Sequence, residues 1–315
     1  MTHSAVPTVD DVLLAELAQG DAMLGTLGPI LRHLLANDDH TLFSDEIVAR
    51  VRGMIGDLAR QLLIAQVEVG EILDAGTFLA ERQAELAAGL LDSPAMLGHA
   101  HALALEWQLT DRLQARNNLD PVLAPLLQEL MASNDAAIAG TAMTLLAAQA
   151  RFVQTQRRME LPLTELPGDL FHYSLITMRA QAEGAGDEIA ASAEARLRTG
   201  YDESRGRVGL TARLVTGIGG KAVEALAIEN AGVAMFLTAL AIGSGQDRDL
   251  AVLATNDRQL ARLALSLRAS GLKPKAVEEQ FLYLHPEVAL PEGFDQLRPD
   301  RAAALLHSSF PEVEE

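Results

Sequence analysis

Residues 236–274 read FLTALAIGSGQDRDLAVLATNDRQLARLALSLRASGLKP, and this stretch constrains the fold more than any other. Its apolar positions recur every three or four residues, the period of one helix face. Gly and Asn-Asp stops divide it into three short helices. No catalytic constellation projects from it, and most of the chain resembles it. Elsewhere no alternating strand pattern exceeds four residues; LTARLV (210–215) comes nearest and also fits a short helix. The expected fold is therefore all-α, a multi-helix array. Composition agrees: aromatic residues are only 4% of the chain while Ala and Leu abound, which suits closely packed helices rather than sandwiched sheets.

Helix starts are marked by caps. Ser44-Asp45-Glu46 places a hydroxyl and two carboxylates where exposed amides and the helix dipole favour them. Behind it Ile47, Val51, Ile55, Leu58 and Leu62 keep 3–4 spacing. Ser93-Pro94 and Asp120-Pro121 each put a cap before a proline suited to the first helical position. Asn134-Asp135 and Asn256-Asp257 are read the same way. MELPLTELPG (159–168) stops a helix with two prolines. The expected organisation is a helical domain over 1–162, a second over 163–291 and a tail over 292–315. A faint repeat lays 93–119 on 135–161 at an offset of 42, with Ala100/Ala142, Leu103/Leu145 and Gln114/Gln156 among the coincident pairs. It makes the N-terminal half resemble a helical-repeat array.

Charge narrows the partners. The 315 residues carry a net charge of −18, spread along the chain. Such a chain repels phosphate backbones and anionic lipid, so neither nucleic acid nor membrane is expected as a partner. The absence of Cys excludes disulfides, thiolate nucleophiles and Cys-ligated metals. The N-terminus does not read as a signal peptide, and the longest uncharged run, Asn230 to Gln246, is too short and too broken by Gly to span a bilayer. A cytoplasmic protein is expected.

Candidate chemistry fails on context. TGIGGKA (216–222) carries Gly217, Gly219 and Ala222 in the spacing of a dinucleotide fingerprint, but that motif needs a strand at 210–215 and a βαβ sequel. His99 and His101 lie two apart and point in different directions on a helix. His33, Asp39 and His40 are a weak metal candidate beside a helix end. Asp169 and His172 could pair at i,i+3. The Arg pairs 157/158, 196/198 and 205/207 are read as offsetting neighbouring acids, and Trp107 as core. No catalytic, cofactor-binding or metal residue is therefore assigned.

Phe236, Leu237, Ser244, Gly245, Arg248, Asp257, Leu265, Leu267, Arg268, Gly271 and Leu272 form a pattern similar to the C-terminal helical region of an uncharacterised bacterial family known only as a domain of unknown function. The resemblance implies an all-helical cytoplasmic bacterial protein and brings no activity or site residues with it. The leading expectation is a non-enzymatic helical protein acting through a protein partner or self-association, with a homodimer in view. The tight Ala/Gly faces AIAGTAM and GVAMFLTALAIG suit such packing. The rival is a small-molecule sensor or enzyme with an interhelical pocket, for which His99, His172 and Arg179 are the candidate lining residues.

Overall fold

The computed structural model describes residues 8–36, 45–182 and 186–308. Among them the chain is all-α: fourteen α-helices joined by turns and four short 3-10 helices, with no strand. In chain order the helices are α1 (Val9–Ala36), α2 (Asp45–Gly70), α3 (Ala75–Leu91), α4 (Pro94–Asn117), α5 (Pro125–Met131), α6 (Ala136–Arg157) and α7 (Gly168–Ala180). Then come α8 (Gly186–Gly200), α9 (Arg207–Gly217), α10 (Ile228–Ser244), α11 (Arg248–Leu253), α12 (Leu260–Ala269), α13 (Pro274–Leu284) and α14 (Pro299–Ser308). They group into two compact units. Of the described residues, the first takes 8–27, 108–146 and 211–308; the second takes 28–36, 45–107, 147–182 and 186–210.

The second unit is built around α2. Ile47, Val51, Ile55, Leu58 and Leu62 are all buried, as their spacing predicts. They pack against α3, α7 and α8. Two glycines let neighbours approach. A Cβ on Gly53 would lie 2.7 Å from the Met159 Cβ, and one on Gly70 would lie 2.9 Å from Ile189. The irregular segment after α6 is held by α2 side chains: the Leu161 amide donates to Asp57, and Gln61 donates to the Leu161 carbonyl while accepting from the Leu163 amide. Its backbone polar groups thus find partners where no helix supplies them.

The first unit is built around α10, which is buried on every side from Ala231 to Ala241. It packs against α5, α11, α12, α13 and the 3-10 helix Gly219–Leu226. An all-round apolar helix of this kind belongs in a core. Two glycines again set the spacing. Gly232 has φ +70 and ψ 167, kinks the helix and leaves no room for a Cβ, which would meet Ala124 at 2.9 Å. At Gly243 a Cβ would lie 2.6 Å from the Ser270 hydroxyl. Gly245 closes α10 in the left-handed region, and Gly271 ends α12 the same way, so the stops seen in the sequence act as stops.

Local signals resolve unevenly. Ser93 accepts from the Met96 amide and Asp135 from those of Ala137 and Ile138, both capping helices. Asp120-Pro121 does not start a helix: Asp120 accepts from the Val122 and Leu123 amides in a turn, and α5 begins at Pro125. LTARLV is helical, inside α9. Each of the segments 93–119 and 135–161 contains one long helix, α4 and α6; Ala100/Ala142 and Leu103/Leu145 are buried in each, whereas Gln114 is exposed and Gln156 buried. Ser44, Asp38, Asp39 and His40 lie outside the described residues.

Candidate functional site

Three kinds of place can carry function in a helical chain: a buried polar cluster, a cavity, and an uncovered apolar face. Each occurs here.

The buried polar groups lead to structural pairing. In the second unit Arg207 and Glu106 form a two-pronged ion pair, Nη1 to Oε1 at 2.6 Å and Nη2 to Oε2 at 3.0 Å, both side chains within 2% of complete burial. The guanidinium lies 3.6 Å from the Phe152 ring centroid, and the Arg207 amide donates to Glu165. The planar fork matches a carboxylate, which is why Arg rather than Lys fills such sites. Arg50 is also consumed locally: it donates to the Gln156 carbonyl, pairs with Glu46 and lies over Trp107. In the first unit Arg262, fully buried, pairs with Asp21, while Gln259 donates to the Gly20 carbonyl. These partners are 101, 241 and 239 residues apart, beyond the reach of any spacing rule.

The histidines do not converge. His99 and His101 are both buried on α4, and burial pushes His101 down to about 4, so it is neutral at pH 7. His172 meets Arg198 at 2.8 Å. Three of the arginines read as offsetting acids do sit beside them, Arg158 with Glu160, Arg196 with Glu68 and Arg198 with Glu194. In the first unit His285 caps α13 and its Nδ1 lies 3.0 Å from Asp257 in the turn before α12. Burial pushes His285 below the ordinary histidine range. Asp257 opposes that shift, and Arg112 reinforces it. The pair ties a helix end to a turn. Among the described residues no group of three or more potential ligands could hold a metal, and His33, Asp39 and His40 are not all among those residues. The glycine fingerprint at 216–222 comes after a helix, not a strand, and runs into the 3-10 helix Gly219–Leu226, so the dinucleotide reading loses the strand it requires.

A cavity of about 280 Å³ lies in the first unit, where the end of α4, the approach to α5, the start of α10 and the end of α13 meet. Its polar lining is Asn117, Asn118, Asp120, Gln128, Glu229 and Tyr283. Leu113, Leu119, Leu123 and Pro125 supply the apolar part. A second cavity, of about 450 Å³, lies in the second unit between α2, α3 and α7, with Phe78, Arg82, Glu85 and Gln181 on its wall. Gln181 there donates to the Glu85 carbonyl, and the Arg82 guanidinium lies 4.4 Å from the Phe78 ring centroid. His99, His172 and Arg179 line neither cavity.

The uncovered face belongs to α6. Ala136, Ala137, Gly140, Met143 and Thr144 are exposed, at the spacing of one helix side. From Ala136 to Ala150 there is no charged residue. Thr141 and Thr144 donate their hydroxyls to the Ala137 and Gly140 carbonyls of their own helix, which leaves this side short of free polar groups. Among the described residues α6 is the one single helix long and apolar enough to cross a membrane, and only 33% of that stretch is buried. The 3-10 helix 219–226 and α10 reach such a length only together, and they are bent by 111° to one another.

No protein-family model matches the chain, and neither does any curated protein or solved structure.

Proposed function

We propose that this protein works by protein–protein association, and that the exposed side of α6 between Ala136 and Thr144 receives a second copy of the same chain. The observation that carries the reading is an apolar helix face left in solvent by a chain that buries its other long uncharged run. Small side chains permit close helix-to-helix approach, and Met143, 61% exposed, adapts to irregular surfaces. Charge favours a copy at this place. Two molecules of net charge −18 repel one another over most of their surface, and fifteen uncharged residues give them a region where like charges need not meet. The buried ion pairs support a non-catalytic role, because Arg207 with Glu106 and Arg262 with Asp21 each join separate elements of the fold.

Light-scattering mass over a concentration series tests the reading. The wild-type chain is expected to approach twice its monomer mass, and Gly140→Glu to remain monomeric. No atom lies within 4 Å of a Cβ placed at Gly140, so the glutamate disturbs the face without disturbing the fold. A wild-type monomer at every concentration, or a dimer that Gly140→Glu leaves intact, overturns the proposal. Flotation of the monomer with lipid vesicles would overturn it in favour of the bilayer.

A further inference from the structure

We infer that the 280 Å³ cavity of the first unit is a binding site for a small organic ammonium ion, such as a short diamine. The argument starts from what its wall lacks and what it offers. Among the described residues no Lys, Arg or His lines it; Asp120 and Glu229 do. The amide side chains of Asn118 and Gln128 and the Tyr283 hydroxyl add acceptors on the same wall, while the Asn117 Oδ1 already accepts from the Arg116 Nε at 3.0 Å.

The backbone adds to the same sign. α4 runs 24 residues and ends at Asn117, on the cavity wall, so its exposed carbonyls present the negative end of the helix dipole there. Asn118 turns the chain in the left-handed region at φ +54, with its amide bonded to the Gln114 carbonyl and that of Leu119 to Leu113. Two carboxylates, a helix C-terminus and neutral acceptors therefore face one space from four different elements.

The walls are held before any ligand arrives. Gly232 of α10 sits so close to Ala124 that a Cβ would overlap it, which fixes α10 against the approach to α5. Gln280 of α13 is buried and accepts from the Ile228 amide at 2.9 Å while donating to Glu229 at 3.4 Å, which positions that carboxylate. Asp120 is fixed by the two amides it accepts. A preformed wall spares a ligand the ordering of its own site. Size and lining then choose the ligand class. The volume falls just under the roughly 300–1,000 Å³ of drug-sized pockets, so the occupant is small. Leucines 113, 119 and 123 suit a run of methylenes, and the carboxylates suit ammonium groups.

Isothermal titration with putrescine (1,4-diaminobutane) tests this independently of the association surface on α6. The full-length chain is expected to give a saturable one-site isotherm, with no heat from 1,4-butanediol, which has the same length and no charge. Asp120→Asn and Glu229→Gln keep the shape and the local hydrogen bonds, and each is expected to weaken binding about tenfold, the ordinary value of a charged hydrogen bond. Circular dichroism melts establish that both variants fold. No saturable heat from the wild type overturns the inference. So does undiminished affinity in both variants, which would mark putrescine as a diffuse counterion of an acidic chain.

Discussion

Helices α6 and α10 are built from nearly the same material and end in opposite surroundings. Each carries a long uncharged stretch rich in Ala, with Gly, Thr, Met and Leu. Composition alone makes both of them helices. It does not say which side, if any, is covered. α10 is enclosed from Ala231 to Ala241, and its hydroxyls at Thr238 and Ser244 are satisfied by the Ala234 and Leu240 carbonyls of the same helix. α6 uses the same back-bonding at Thr141 and Thr144 on a surface open to solvent. The two glycine environments separate the cases most clearly. Gly243 is wedged against Ser270, whereas nothing lies within 4 Å of a Cβ at Gly140.

Substitutions sharpen this contrast. The largest effect is expected at Phe236, fully buried in α10. Phe236→Ala should cost about 3–5 kcal/mol in urea unfolding, the ordinary range for an aromatic truncated in a core. A loss below about 1 kcal/mol would mean that α10 is not the centre of its unit.

Next comes a helix that is buried yet polar, and so tests what enclosure demands. His101 on α4 is neutral because burial holds it near 4, below its ordinary 6.5. The unfolded chain binds more protons between those values, so stability is complete above about pH 6.5 and declines as pH falls toward 4. The expected loss across that window is about 3 kcal/mol. His101→Gln should flatten the slope of unfolding free energy against pH between 6.5 and 4. A slope unchanged in the variant would assign the acid sensitivity to other groups, of which His285 is the first, being shifted in the same direction.

Smaller effects come from the glycines. Gly243→Ala should destabilise by about 1–3 kcal/mol through overpacking, and Ser270→Gly in the same chain should recover part of that loss. Gly140→Ala should do the reverse and stabilise the isolated chain by about 0.5–1 kcal/mol, the helix preference of alanine over glycine. Thermal melts of the two alanine variants moving in the same direction would erase the distinction between the helices.

The helical class was legible because periodicity and stops are local. The face of α2 from Ile47 to Leu62 and the end of α10 at Gly245 are set by residues a few positions apart. Asp120-Pro121 misled because the same side chain that caps a helix also caps a turn, and the residues downstream of it decide between them. LTARLV was ambiguous because six residues cannot fix a period; the preceding Arg207, drawn into the core by Glu106, is part of the same helix. The cavity was illegible for a plainer reason. The turn at 117–120, Glu229 and Tyr283 come from three places far apart in sequence, and none stands in a motif with another.

The pairing of Arg207 with Glu106 also limits how such a sequence can drift. A change in either residue alone leaves a charge facing a sealed interior, a loss of about 3–5 kcal/mol where one partner is simply removed. That is a large part of the roughly 5–15 kcal/mol by which domains are stable at all. Selection acting one substitution at a time therefore finds both residues locked, while their simultaneous exchange for an apolar pair of matching volume remains open. Descendants of a common ancestor with this core should keep both or neither, so a two-column pattern of joint retention and joint loss would be its hereditary signature.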